Sequence, residues 1–216
     1  TYWYELAQRI YSLFYEQQSE VRAFYEPFLP SIRRALISKI PPPYGFTEVE
    51  EEDGFRSHRV VFNTKFGDLY SSAKDALVLL TNLDLNDSVR ALEESMTKTQ
   101  SSGFNRLDLV NKTAWAFGAI VSALSEQSNK LFVTNFIGFY ISLFNEAGNM
   151  QLDEQALFQA KHAVAMACCF ICSQAHKFLL RDDVLFTNIV NWMLSLLQYP
   201  DDEVKAVSIK SLELLC

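Results

Sequence analysis

The sequence has few of the residues that break regular structure: seven glycines and six prolines in 216 residues, with Pro41, Pro42 and Pro43 adjacent to one another. In a chain that is 49% hydrophobic, so few breakers exclude extended disorder and point to a well-buried, helical, globular chain. There is no glycine-rich phosphate loop and no Ser-His-Asp order. The three histidines, His58, His162 and His176, fall in different elements, so no enzyme activity is expected. Clusters of Lys and Arg are also missing. Together with a net charge of −7 this argues against direct nucleic-acid binding and suits a basic protein partner.

Cysteine is scarce, and Cys168, Cys169 and Cys172 crowd into one helical stretch where they cannot pair, which suggests a reducing, intracellular setting. Cys168, Cys172 and His176 share an i, i+4, i+8 spacing but lack a fourth ligand. Small buried thiols are expected there, with no metal and no cofactor. The chain starts at Thr1 without an initiator Met or signal peptide and stops at Cys216 inside an apolar pattern, so a piece of a longer protein is expected.

The most apolar stretch is 130–145, KLFVTNFIGFYISLFN. At 3.6 residues per turn Phe132, Phe136, Phe139 and Leu143 form one stripe, while Leu131, Ile137, Tyr140, Ile141 and Phe144 fill most of the remaining circumference. The run is shorter than the roughly 20 residues a bilayer requires and carries Asn135 and Ser142, so no membrane association is expected. Such a helix is either core or the wall of a groove that a partner fills.

Apolar spacing places further helices at 1–17, 30–40, 68–83, 85–100, 107–124, 155–177, 184–197 and 202–216. Their expected caps are Asn86 or Asp87 for the helix at 85 and Asp182 or Asp183 for the helix at 184. Inward positions include Leu69, Ala73, Ala76, Leu77 and Leu80 in the helix at 68. The proline triplet ends the helix at 30–40. One non-helical insertion follows at 44–62, where Asp53-Gly54 suits a tight turn between two extended arms. Its first arm is acidic and its second partly basic, and such a hairpin must lean on a neighbouring surface or a partner. Helix starts near Asn86, Asn129 and Asp183 recur at HEAT-type intervals. The expected fold is therefore all-α, an α-solenoid of HEAT repeats with one inserted β-hairpin loop, forming a single segment over 1–216.

Six stretches in collinear order, YWYELAQRIY, LPSIRRALISKIPPP, ALVLLTNLD, VNKTAWAFGAIVSA, LFVTNFI and SQAHKFL, resemble the nuclear exportins of the chromosome-region-maintenance type, receptors for leucine-rich export signals in the importin-beta superfamily. The resemblance implies central HEAT repeats, with the signal groove in the repeats over 129–216, between the helices at 129–146 and 184–197. Carried over by position, the groove would be lined by Phe136, Tyr140 and Leu143, and by Leu185, Ile189, Trp192 and Leu196. Lys161, Ala165, Cys168, Cys169 and Phe178 would form its floor, and a register slip of one residue would put Phe144 in place of Leu143. Leu131, Ile137 and Ile141 would then hold the repeat together while Phe136, Tyr140 and Leu143 face a peptide.

By the same resemblance the hairpin, through Glu48, Glu50, Glu51, Glu52, Asp53, Phe55 and Arg56, would contact Ran-GTP and, without Ran, pack behind the groove and close it. The implied partners are cargo proteins with leucine-rich export signals, Ran-GTP and, through the full-length receptor, nucleoporins, with shuttling between nucleus and cytoplasm. Two departures stand out: the family's reactive groove cysteine falls at Leu143, and a lysine that helps reject wrong peptides falls at Trp192. The alternatives are a non-transport α-solenoid scaffold, whose apolar helices merely cover one another, and an import receptor of the same superfamily. On the groove reading, Ile189→Asp would abolish peptide binding without unfolding the protein.

Overall fold

Residues 2–15, 23–50, 56–61, 65–125, 128–149 and 153–215 are described by the structure, a computed structural model. They form an all-α fold of packed helices with one two-stranded sheet. The chain gathers into two compact units, residues 1–43 with 65–124 and residues 44–64 with 125–216.

In the first unit α1 (Tyr2–Tyr15) packs on α3 (Lys65–Leu83), and α2 (Leu29–Lys39), α4 (Leu85–Ser102) and α5 (Leu107–Ile120) complete the stack. Its apolar interior includes Leu36, Leu77, Leu80, Leu92, Ala114 and Phe117, as the helical spacings require. Leu69, expected inward, is 48% exposed: although its neighbour Tyr70 is buried, Leu69 itself lines an open surface pocket with Leu36, Ile40 and Ala73.

Two arginines of α2 organise the polar part of this interior. Arg33 is fully buried, forms an ion pair with Asp87 and donates to the Leu80 carbonyl at 2.7 Å. Arg34 forks onto Glu94 at 2.6 and 2.8 Å and reaches Asp87 at 3.2 Å. The Arg34 hydrogen bond holds the Glu94 carboxyl below its usual range. This network overturns the expected cap of α4. The cap is Asp84, whose carboxylate accepts the Asp87 N–H at 2.9 Å, since Asp87 itself is taken up by the two arginines of α2. Gly103 ends α4 with φ +53°, in the left-handed region where a side chain would be strained.

The second unit contains the hairpin β1 (Gly45–Glu50) and β2 (Arg56–Val61), then α6 (Lys130–Asn149), α7 (Glu154–Gln174), the single turn α8 (His176–Leu179), α9 (Asp183–Leu196) and α10 (Asp202–Leu215). The strands are antiparallel, with Gly45 opposite Val61 and Glu50 opposite Arg56. The helix expected over 155–177 stops at Gln174. Ser173 donates back to the Phe170 carbonyl at 2.7 Å and Ala175 leaves helical geometry before α8 begins.

α7 is the central helix: α6, α9 and α10 all pack on it. Ten consecutive residues from Ala163 to Cys172 are buried, most of them Ala, Cys or Val. These small side chains let bulkier helices come close. By length and hydropathy α7 is the one helix among the described residues that could cross a membrane, and 67% of its most apolar window is buried inside the protein, as in a core helix.

Candidate functional site

Within the second unit, Asp153 caps α7 by accepting the Ala156 N–H at 2.7 Å, and Asp182 caps α9 by accepting the Leu185 N–H at 3.1 Å, the latter as its sequence suggests. α6 turns Val133, Phe136, Ile137, Tyr140, Leu143 and Ala147 into the interior. Phe136 and Tyr140 are fully covered and stack with ring centroids 5.5 Å apart. On α9, Ile189, Met193 and Leu196 are buried, while Leu185 and Trp192 are half-buried. Ala165, Cys168 and Cys169 on α7 and Phe178 on α8 are likewise interior.

This corrects the expected division of labour on α6. Phe136, Tyr140 and Leu143, expected to face a peptide, make the packing face, whereas Leu131, expected to hold the repeat together, is 73% exposed. The reason is geometric. Residues 133, 136, 137, 140 and 143 follow one i, i+3, i+4, i+7 line that points into the unit, and Leu131 lies off that line. Ile137 is buried as expected and Ile141 is half-buried. Ile189 is fully covered too, so the prediction that Ile189→Asp spares the fold is withdrawn. The seam between α6 and α9 is closed in this structure.

Two contacts close it. At one end the Lys130 ammonium meets the Asp182 carboxylate at 3.1 Å, so the N-termini of α6 and α9 lie side by side. The Leu185 N–H and then Lys130 hold the Asp182 carboxyl below its usual pKa. Farther along, Phe144 and Trp192 meet edge to face, with ring centroids 5.5 Å apart and planes at 89°. The Lys161 ammonium sits 5.9 Å from the Phe144 centroid. Of the two registers considered, it is Phe144, not Leu143, that lies on the seam's surface. Neither contact was legible as a pair, because each joins residues from separate helices and leaves no local pattern.

The thiols of α7 are buried. Burial pushes the Cys169 thiol up to about 12, and a hydrogen bond with Cys172 together with burial raises that of Cys168 well above normal. Cys169, placed in the groove floor by position, turns to α10: its Sγ lies 3.4 Å from the Ser208 hydroxyl, and its carbonyl accepts the Ser211 hydroxyl at 3.0 Å. His162 also faces α10, with Nδ1 3.3 Å from Asp201 and Nε2 3.5 Å from Glu203. Among the described residues no group of three or more His, Cys, Asp or Glu side chains is arranged to hold a metal ion.

The hairpin leans on these inner helices. β2 packs on α10, and the Tyr44 ring lies 6.0 Å from that of Phe170 on α7. A gap of about 10 Å³ among Tyr44, Val60, Phe170, Val207 and Leu214 has room for no more than one water. Burial raises the Tyr44 phenol well above its usual pKa, with nearby Cys169 and Glu203 adding to the shift. Of the hairpin residues assigned to Ran contact, Glu48, Glu50 and Arg56 lie in the two strands, with Glu48 opposite His58. Glu51, Glu52, Asp53 and Phe55 lie outside the described residues.

No family model matches the sequence. Curated relatives do match, among them these three. Exportin-1 of Drosophila melanogaster is 26% identical over 185 residues, 85% of this chain and 17% of that protein. Exportin-1 of Schizosaccharomyces pombe is 28% identical over 113 residues, 52% of this chain and 10% of that protein. Exportin-1 of Dictyostelium discoideum is 26% identical over 113 residues, 52% of this chain and 11% of that protein. The chain thus spans less than a fifth of the length of these relatives. Similarity to one protein type in an insect, a yeast and a slime mould, together with the stacked helices and the seated hairpin, supports an exportin-type chain of the chromosome-region-maintenance kind.

Proposed function

We propose that this chain is the cargo-binding segment of a nuclear export receptor, which takes leucine-rich export signals between α6 and α9 and shuttles between nucleus and cytoplasm. The observation that carries the reading is the arrangement of one unit: two apolar helices share α7 as a floor, meet at their surface through Phe144 and Trp192, and have the hairpin seated on α7 and α10. Separating α6 from α9 would expose Phe136, Tyr140 and Leu143 opposite Leu185, Ile189 and Leu196, a row of apolar sites suited to an amphipathic segment. Lys161, Ala165, Cys168 and Phe178 would complete the floor.

Ran-GTP is the partner proposed for the acidic hairpin. If Ran draws the hairpin away from α10, the helices behind the seam lose a support, and cargo and Ran then strengthen each other's binding by the same factor. Fluorescence polarisation of a labelled leucine-rich export-signal peptide, titrated with the full-length protein with and without Ran-GTP, tests this. Binding that tightens with Ran-GTP is the expected result, and absence of binding in both conditions sinks the proposal. The complete burial of Phe136, Tyr140 and Ile189 favours a second reading, a scaffold whose helices only cover one another. That reading gains if the peptide never binds.

A further inference from the structure

We propose that Phe144 and Trp192 form a latch that gates the α6–α9 seam, an intrinsic lock distinct from the hairpin. The proposal rests on the groove reading above and adds to it a means of regulation. Phe136 and Tyr140 on α6 and Ile189, Met193 and Leu196 on α9 are covered inside the unit, whereas Phe144 and Trp192, which join the two helices, are only half-buried. These two rings make the aromatic contact between α6 and α9 at the surface.

Their geometry suits a releasable contact. An edge-to-face pair at 5.5 Å and 89° sets the positive edge of one ring against the negative face of the other. Lys161 approaches the Phe144 ring as well and limits the positions that ring can take. The other end of the seam is different in kind. There Asp182 accepts the Leu185 N–H through one carboxylate oxygen and meets Lys130 through the other, so that contact is a solvent-exposed ion pair that can part while the cap of α9 stays in place. The aromatic end is therefore the catch.

A peptide that reaches the covered side chains must first open the catch. Its apparent affinity is then reduced by the fraction of molecules that are open at any moment. A ligand side chain that takes the place of Trp192 against Phe144 recovers the lost ring contact, which favours large apolar anchors, aromatic ones above all.

The test uses two readouts in the full-length protein. In the first, Leu143→Cys places a thiol on the covered face of α6, and its rate of maleimide labelling reports opening of the seam with no peptide present. The native Cys168, Cys169 and Cys172 are buried, and the labelling of the unsubstituted protein is subtracted. Adding Trp192→Ala should speed labelling of Leu143→Cys by about two- to tenfold, the range expected for loss of one aromatic pair, and Trp192→Phe should speed it less. An unchanged rate overturns the latch.

In the second readout, Trp192→Ala should tighten binding of the labelled export-signal peptide by a similar factor without Ran-GTP, with a smaller gain when Ran-GTP is present. Equal or weaker binding by Trp192→Ala overturns the latch and makes Trp192 a contact for the ligand. Should the unsubstituted protein bind no peptide at all, the export reading fails, while the labelling rates still decide the latch.

Discussion

The first unit carries Arg33 and Asp87 in its interior, bound to each other and to the backbone, while the second is organised around α7 with its Ala, Val and Cys residues and the aromatic rings that pack near it. The two interiors resist change differently. A buried ion pair is directional, and breaking it strands a charge away from water, so it holds α2 and α4 in one register. Apolar contacts are non-directional, and helices can slide or part by small steps while keeping most of the burial. The opening proposed for the α6–α9 seam suits the second kind of interior, and a fixed frame suits the first.

Five substitutions or treatments test that contrast. The largest effect is expected from Ile189→Asp, which places an unpaired carboxylate among Met193 and Leu196. A loss of about 4 kcal/mol or more in urea unfolding, with reduced helicity by circular dichroism, is the expected outcome. A folded variant of near-normal stability would mean that the site is open to water. Next, Arg33→Ala should cost about 3–5 kcal/mol by the same measurement, because Asp87 keeps only its longer contacts to Arg34. A loss under about 1 kcal/mol would break the distinction between the units.

Ser211→Ala removes the hydroxyl that α10 donates to the Cys169 carbonyl, and about 1 kcal/mol should follow. Iodoacetamide at pH 8 should leave Cys168, Cys169 and Cys172 unmodified in the native protein, since all three are buried and burial also pushes the Cys169 thiol up to about 12. Peptide mapping that finds any of the three alkylated would show that the second unit opens far more than its burial implies.

The smallest effect concerns Lys130 and Asp182. The Asp182 carboxyl titrates lower in the fold than its ordinary value of 3.8, so its contribution is present above that value and is lost as pH falls through the folded pKa. The urea midpoints of the native protein and of Lys130→Met should therefore differ at pH 6 and converge on acidification below the ordinary carboxylate range. A difference that persists unchanged into strong acid would show that Lys130 acts through packing alone.

Much of this architecture was legible in the amino acids. Apolar spacing located the helices to within a few residues, the proline triplet stopped α2, and Asp182 was readable as a cap because capping is local. The cap of α4 was misread because Asp87 serves Arg33, 54 positions away, and no local rule reports that demand. Periodicity grouped Phe136 and Leu143 correctly on one stripe of α6 but could not say what covers that stripe. That depended on α7, and on a line of residues that excludes Leu131. The Phe144–Trp192 contact was out of reach for the same reason, although both residues had been singled out by position.

The hairpin has a further consequence. Its sequence is inserted between two stretches of the first unit, ending at Pro43 and resuming at Lys65, while its strands count with the second unit and lie against α10. It is thus a segment joined covalently at both ends to the protein that binds it, so its contact with α10 is intramolecular and does not depend on protein concentration. A free competitor for the α10 surface must overcome that advantage. A partner that grips the hairpin itself bypasses the contest by removing the rival.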